Sequence, residues 1–271
     1  MTPIAVTIAG SDSGGGAGLQ GDLKTFSALG VYGACVVTAL TAQSTTGVSA
    51  IHDVPADFVA AQMDAVFGDL QVGAVKIGML SQRSVIEAVA GRLDRWRQST
   101  VVLDPVMVAS SGDRLLARDA IDVLKRVLIP RALVLTPNLP EAAALLDLPV
   151  ARSEDDMLAQ AQRLLGLGAQ AVVIKGGHGA GPTSVDLLVD RNGVVALPMT
   201  RIASRNTHGT GCAFSAAIAA GLAKGLELEA ATRAAKLYVH AAIAAADTLE
   251  IGSGPGPVHH FHAVWPGLPT D

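Results

Sequence analysis

Seven residues, Asn206-Thr207-His208-Gly209-Thr210-Gly211-Cys212, carry the strongest chemical signal in this chain. They put two glycines and a thiol where an alanine-rich helix, Ala213 to Ala223, is expected to begin. N–H groups at a helix start lack intrahelical partners, and the macrodipole adds about half a positive charge there. Gly209 and Gly211 have no Cβ atoms to hold an anion away from those donors. The same field is expected to favour a thiolate at Cys212. Anion cradle and candidate base thus lie side by side, a combination that points to phosphoryl transfer.

Other residues could complete such a site. Asp104 closes an apolar run, and Glu141 follows Thr136-Pro137-Asn138-Leu139-Pro140 at an expected helix start. Two carboxylates at neighbouring strand ends can hold a hydrated Mg²⁺, although Glu141 also suits simple first-turn stabilisation. Lys175, after Val172-Val173-Ile174 and before Gly176-Gly177-His178, can meet a phosphate. Gln43 offers a donor beside an acceptor, which can match a heterocycle's ring nitrogen and amino group, although taken alone it suits an ordinary surface position better. Asp22 suits either ligand contact or a helix dipole. The glycine-rich loop from Ser11 to Gly18 suits a substrate-binding mouth.

Some readings fail. Gly16-Ala17-Gly18-Leu19-Gln20-Gly21 matches G-x-G-x-x-G, but no Asp or Glu lies between Asp22 and Asp53 to hold a ribose. Neither a P-loop nor the protein-kinase signature set is present. His259-His260-Phe261-His262 lacks a nearby fourth metal ligand and reads as packing.

The elements that must position these groups alternate. Ile4–Ala9, Tyr32–Leu40, Ala74–Ile77, Val101–Asp104, Leu133–Thr136 and Ala171–Lys175 read as strands. Gly47–His52 is expected to pair beside the second. Leu19–Leu29, Phe58–Leu70 and Arg83–Trp96 read as helices, and Asp190-Arg191-Asn192-Gly193 joins a hairpin. Apolar runs linked by helices predict a doubly wound parallel sheet, with ligands beyond the strands' carboxyl ends. At 271 residues and 50% hydrophobic content, one domain spanning 1–271 is expected. A net charge of −4 argues against nucleic acid or an anionic membrane as the main partner. Two cysteines, Cys35 and Cys212, and an N-terminus without a basic leader fit a reduced cytoplasmic setting.

Taken together, these segments resemble the bacterial hydroxymethylpyrimidine/phosphomethylpyrimidine kinases of thiamine biosynthesis, in the ribokinase-like superfamily. The resemblance runs through Ile8–Gly18, Asp22-Leu23-Lys24-Thr25-Phe26, Thr38–Gln43, Lys76–Leu80, Val102–Met107, Thr136–Ala142, Lys175–His178, the heptapeptide and Gly256–His262. Gly21 stands where the family usually carries alanine. The resemblance implies a three-layer αβα sandwich with a mostly parallel central sheet. It also implies ATP-dependent phosphorylation of 4-amino-5-hydroxymethyl-2-methylpyrimidine, and then of its monophosphate.

By the same resemblance, Gln43, Asp22, Ala17, Met79 and Val106 form the pyrimidine pocket. Asp104, Asn138 and Glu141 lie by Mg²⁺ and the phosphates. Thr207 and Thr210 meet the nucleotide, while Lys175 and the Gly209–Cys212 amides steady the transferring group. Most of the superfamily carries Asp where Cys212 stands, and a cysteine-bearing set of pyridoxal kinases is the nearest alternative. A homodimer is implied too.

Overall fold

The computed structural model describes residues 1–107, 118–179 and 181–265. Nine strands form one sheet in the order β3-β2-β1-β4-β5-β6-β7-β8-β9. These are β1 (Ile4–Asp12), β2 (Tyr32–Ser44), β3 (Gly47–Asp53), β4 (Ala74–Ile77) and β5 (Val101–Leu103). The rest are β6 (Val134–Leu135), β7 (Ala171–Ile174), β8 (Thr183–Asp190) and β9 (Gly193–Thr200). In that spatial order the six strands from β2 through β7 run parallel, whereas β3, β8 and β9 join by antiparallel pairing. The helices are α1 (Gly18–Ala28), α2 (Ala56–Asp69), α3 (Arg83–Arg95), α4 (Arg118–Val123), α5 (Leu139–Leu146), α6 (Glu154–Leu165), α7 (Thr210–Ala223) and α8 (Leu228–Ala244).

Two cores sandwich the sheet. Val6, Ile8, Val75, Ile77, Leu103, Leu135, Val172 and Ile174 pack against α2, α3, α5 and α6. Ala5, Ala74, Val102, Val134, Ala171 and Val173 point the other way, against α1, α7 and α8. The division follows from the two-residue period of a strand. Along α7 the contact residues are mostly Ala213, Ala216, Ala217, Ala219 and Ala220, all buried, so this helix lies close on the sheet. The low aromatic content, 3%, is compatible with a core made of such small groups.

Strand parity decides which side chains meet. Continuing the α7-facing series by steps of two brings Thr7, Lys76, Asp104, Thr136 and Lys175 to the same face and end of the sheet. Strand order also reverses around β1, whose neighbours are β2 and β4, and the crevice there is the expected ligand site of an open α/β sheet.

Most elements fall within a few residues of the bounds expected from sequence. β1 and β2 extend further, to Asp12 and Ser44, carrying the start of the glycine-rich loop and Gln43 out at the carboxyl ends of these strands. Helices α5, α6 and α8 have no bounds in the sequence reading. No helix among the described residues is long and apolar enough to cross a membrane.

Candidate active site

A cavity of about 800 Å³ opens at the carboxyl ends of the parallel strands. Its wall includes Ala17, Gln43, Met79 and Val106, together with Asp104, Asn138, Glu141, Lys175 and Thr207–Cys212. Every site residue expected from sequence lies on this wall except Asp22.

The start of α7 is shaped by glycine. Gly209 is the N-cap with φ 81°, and a Cβ there would lie 1.9 Å from the Gly16 carbonyl oxygen. No other residue fits that crossing. Thr210 N–H already donates to Thr207 O at 3.2 Å, and Ala213 N–H to Gly209 O at 2.8 Å. Of the first-turn donors, Gly211 and Cys212 are therefore the pair left for an anion. Thr210 contributes shape rather than an amide donor. Above this turn hangs Lys175, whose Nζ would stand 3.2 Å from a Cβ added at Gly211.

Lys175 Nζ donates to Asp104 Oδ1 at 2.7 Å and lies 3.9 Å from Glu141 Oε2. Burial works against its charge, but Asp104 and Glu141 outweigh burial and hold the ammonium more firmly protonated than usual. Thr136 Oγ1 and Ser215 Oγ donate to the two oxygens of Asp104 at 3.2 and 3.1 Å. Asn138 caps α5 by accepting from Glu141 N–H, and Glu141 Oε2 accepts from Asn138 N–H, both at 2.8 Å. Glu141 thus fills the structural role the sequence left open, while still facing the cavity. Burial raises its pKa to about 7, assisted by the neighbouring Asp104 and opposed by Lys175.

Two expectations need correction. Asp22 does not line the cavity: it is completely buried, with Oδ2 accepting from Lys76 Nζ at 2.8 Å and from Thr7 Oγ1. It lies beneath the floor and reaches the cavity only through Lys76, because a carboxylate at that depth needs a cation of its own. Cys212, second, is not an activated thiol in the ligand-free protein. Burial pushes it up to about 11, and the pull of Lys76 and the Gly18 N–H is insufficient to offset that. The helix field is real, but desolvation of the thiolate outweighs it.

Three site residues carry no role in the sequence reading. Lys76 is a fully buried ammonium on the cavity floor, kept charged against its burial by Asp22 first and Asp104 after it. A lysine between Val75 and Ile77 in a buried strand is the signal that could have found it. Asp12 gathers the glycine-rich loop: Oδ1 accepts from Gly14 N–H at 2.8 Å, and Oδ2 from Gly16 and Ala17 N–H at 3.0 and 2.8 Å. Those amides are turned inward, so this loop is a shaped wall rather than a phosphate cradle. His208 Nε2 meets the same Asp12 oxygen at 3.0 Å, tying the heptapeptide to that wall. The His208 backbone also anchors the tail: its carbonyl accepts from Val258 N–H and its N–H donates to Gly256 O, each at 3.1 Å. Within that tail Phe261 stacks on Trp265 at 5.1 Å and His262 meets Tyr238 at 5.3 Å, as packing groups do.

A doubly wound sheet with a glycine-shaped helix start, a lysine and paired carboxylates beyond its strand ends defines a small-molecule kinase of ribokinase-like fold. Comparison with known proteins agrees. The family profile described as Phosphomethylpyrimidine kinase matches residues 12–259. A relative from Rhizobium meliloti, named hydroxymethylpyrimidine/phosphomethylpyrimidine kinase, is 60% identical over 265 residues, covering 98% of this chain and 99% of its own. Among solved structures, the ADP complex of Bacillus subtilis pyridoxal kinase superposes with a TM-score of 0.89 at 37% identity, covering 97% of this chain and 99% of that one. Phosphomethylpyrimidine kinase from Clostridium difficile gives 0.78 at 41% identity, over 89% and 99% of the two chains. The chain belongs to the phosphomethylpyrimidine kinase family.

Proposed function

We infer that this kinase, acting as one domain over residues 1–271, transfers the γ-phosphoryl of ATP to the hydroxymethyl group of 4-amino-5-hydroxymethyl-2-methylpyrimidine. A second transfer, onto the resulting monophosphate, gives the diphosphate. The observation that carries the reading is one cavity whose wall holds Gln43, Met79, Val106 and Ala17 together with Lys175 over the α7 start. Gln43 pairs with the aminopyrimidine edge, and the apolar residues hold the ring. Thr207 and Asn138 flank the nucleotide's phosphates. Gly211 and Cys212 N–H groups, with Lys175, take up the charge that spreads over the transferred phosphoryl oxygens.

Asp104 and Glu141 suit a hydrated Mg²⁺, which keeps most of its waters and needs few protein ligands. Their fit rests on chemistry already described: two carboxylates share one cavity end, and Glu141 resists ionising beside Asp104. When bound, the ion neutralises phosphate charge. Cys212 first loses its own proton to solvent, and Lys76 on the floor beside it stabilises the thiolate against the substrate hydroxyl, whose proton is next to leave. Cys212 then accepts that proton as the oxygen attacks, with positioning and charge neutralisation contributing the larger share.

Pyridoxal is the competing substrate, since the Bacillus subtilis pyridoxal kinase shares the fold so closely. The family match and the Rhizobium meliloti relative favour the pyrimidine. Incubation with Mg·ATP and each of the pyrimidine alcohol, its monophosphate and pyridoxal decides. Turnover of both pyrimidines above pyridoxal is expected, and preference for pyridoxal would overturn the assignment. Two unpaired cysteines support a reducing, cytoplasmic setting. A homodimer is expected, and sedimentation equilibrium tests it.

A further inference from the structure

Asp12 and His208 stand outside the phosphate chemistry, yet His208, held by Asp12, meets the one side chain assigned to read the substrate. Gln43 Nε2 lies 3.5 Å from His208 Nε2, and Gln43 Oε1 lies 3.1 Å from Thr41 Oγ1. Both contacts are wrong for the atoms involved. Thr41 Oγ1 has one proton, and Ser11 O takes it at 2.7 Å, leaving the hydroxyl only lone pairs to offer Gln43.

His208 is constrained as firmly. Burial opposes the ionisation of Asp12, but donors from His208, Ala17 and Gly14 outweigh it and hold the carboxylate below its ordinary range. An ionised carboxylate only accepts, so the His208 Nε2 facing it at 3.0 Å carries a proton. That nitrogen cannot also accept from an amide NH₂. A half turn of the Gln43 amide satisfies both neighbours: NH₂ donates to Thr41 Oγ1, and the oxygen faces the His208 N–H.

We propose that the Asp12–His208 pair, opposite Thr41, fixes the polarity of the Gln43 amide and thereby selects the donor–acceptor order of the substrate's ring edge. The pair is a positioning device, and it rests on the pyrimidine assignment above. Gln43 then offers N–H on the Thr41 side and oxygen on the His208 side. A 4-aminopyrimidine matches with its ring nitrogen toward Thr41 and its exocyclic amine toward His208. A 4-oxo ring, with ring N–H beside a carbonyl, presents the reverse order and mispairs at both positions. The glycines enforce the arrangement, since a Cβ at Gly16 would strike the His208 ring.

The test compares kcat/KM for the amino alcohol and for its 4-oxo analogue in wild type, His208→Phe, Thr41→Val and His208→Gln. Wild type should prefer the amino compound by at least about 100-fold, as expected where mispaired polar groups are buried. His208→Phe and Thr41→Val each remove one of the two anchors and loosen the amide, so the ratio should fall to about 10-fold or less, with the 4-oxo substrate gaining in absolute terms. His208→Gln, which restores an N–H donor, should recover much of the preference. A purely structural defect lowers both substrates in parallel, and that result in correctly folded variants would overturn the proposal, as would an unchanged ratio. Thr41→Val keeps the test open if His208→Phe fails to fold. Wild type turning over neither pyrimidine would instead overturn the substrate assignment beneath it.

Discussion

Alanine at Gly209 and at Gly211 should have opposite consequences, although the two residues are neighbours on one turn. At Gly209 the added methyl would sit 1.9 Å from the Gly16 carbonyl oxygen, on a backbone with φ 81°. An ordinary C···O approach is roughly 3.3 Å, so the two segments must part by roughly 1.4 Å. The left-handed backbone adds roughly 1–2 kcal/mol for any residue with a Cβ. With the broken crossing, a loss of about 3 kcal/mol is expected, or a fall in Tm of about 6–12 °C for a chain of this size. Displacement of α7 by about 1 Å should lower kcat about 100-fold besides. At Gly211 the methyl would meet only Lys175 Nζ, at 3.2 Å, the far end of a side chain that can move. Tm should hold or rise slightly, helped by alanine's helix propensity, while kcat falls as Lys175 is pushed off the phosphoryl path. Paired thermal melts and steady-state kinetics read both effects. Gly209→Ala with unchanged Tm and kcat would refute the claim that this crossing builds the cradle.

Three further outcomes follow from the charges. Iodoacetamide should label Cys212 slowly at neutral pH in the ligand-free enzyme, its rate climbing about tenfold per pH unit toward a midpoint near 11; a midpoint below about 8 would contradict the burial argument. Glu141→Gln keeps a side-chain oxygen for the α5 cap, so Tm should be nearly unchanged while the Mg²⁺ concentration for half-maximal rate rises about tenfold; an unaltered Mg²⁺ requirement would remove Glu141 from that role. His260 is held neutral by burial, with its pKa lowered to about 4, so the unfolded chain takes up its proton first on acidification. Stability should therefore be complete above about pH 6.5 and decline toward pH 4, by up to about 3 kcal/mol, and His260→Leu should flatten that slope in urea titrations at each pH.

The strands of the site were readable because a buried parallel strand tolerates polarity only at its exit, where Asp104, Thr136 and Lys175 stand. Strand period then explains why all three face α7, a point visible in the sequence once the strands are aligned. Asp22 and Cys212 were harder. Their expected behaviour came from proximity to helix starts, a local property, whereas desolvation and the Lys76 counter-charge are set by contacts 54 residues and more distant along the chain. His208 lay inside the most conspicuous motif without an assigned role. Its partners Asp12 and Gln43 are 196 and 165 residues away, and no spacing rule connects them.

The central claim is that Lys175 and the Gly211 and Cys212 amides receive the transferred phosphoryl group. A crystal structure with a non-hydrolysable ATP analogue, Mg²⁺ and the pyrimidine alcohol tests it directly. The account expects a γ-phosphate oxygen within about 3.2 Å of both amide nitrogens and of Lys175 Nζ, with the hydroxymethyl oxygen beside the Cys212 sulfur. A triphosphate bound against the Ser13–Gly16 loop or elsewhere, clear of the α7 start, would contradict it.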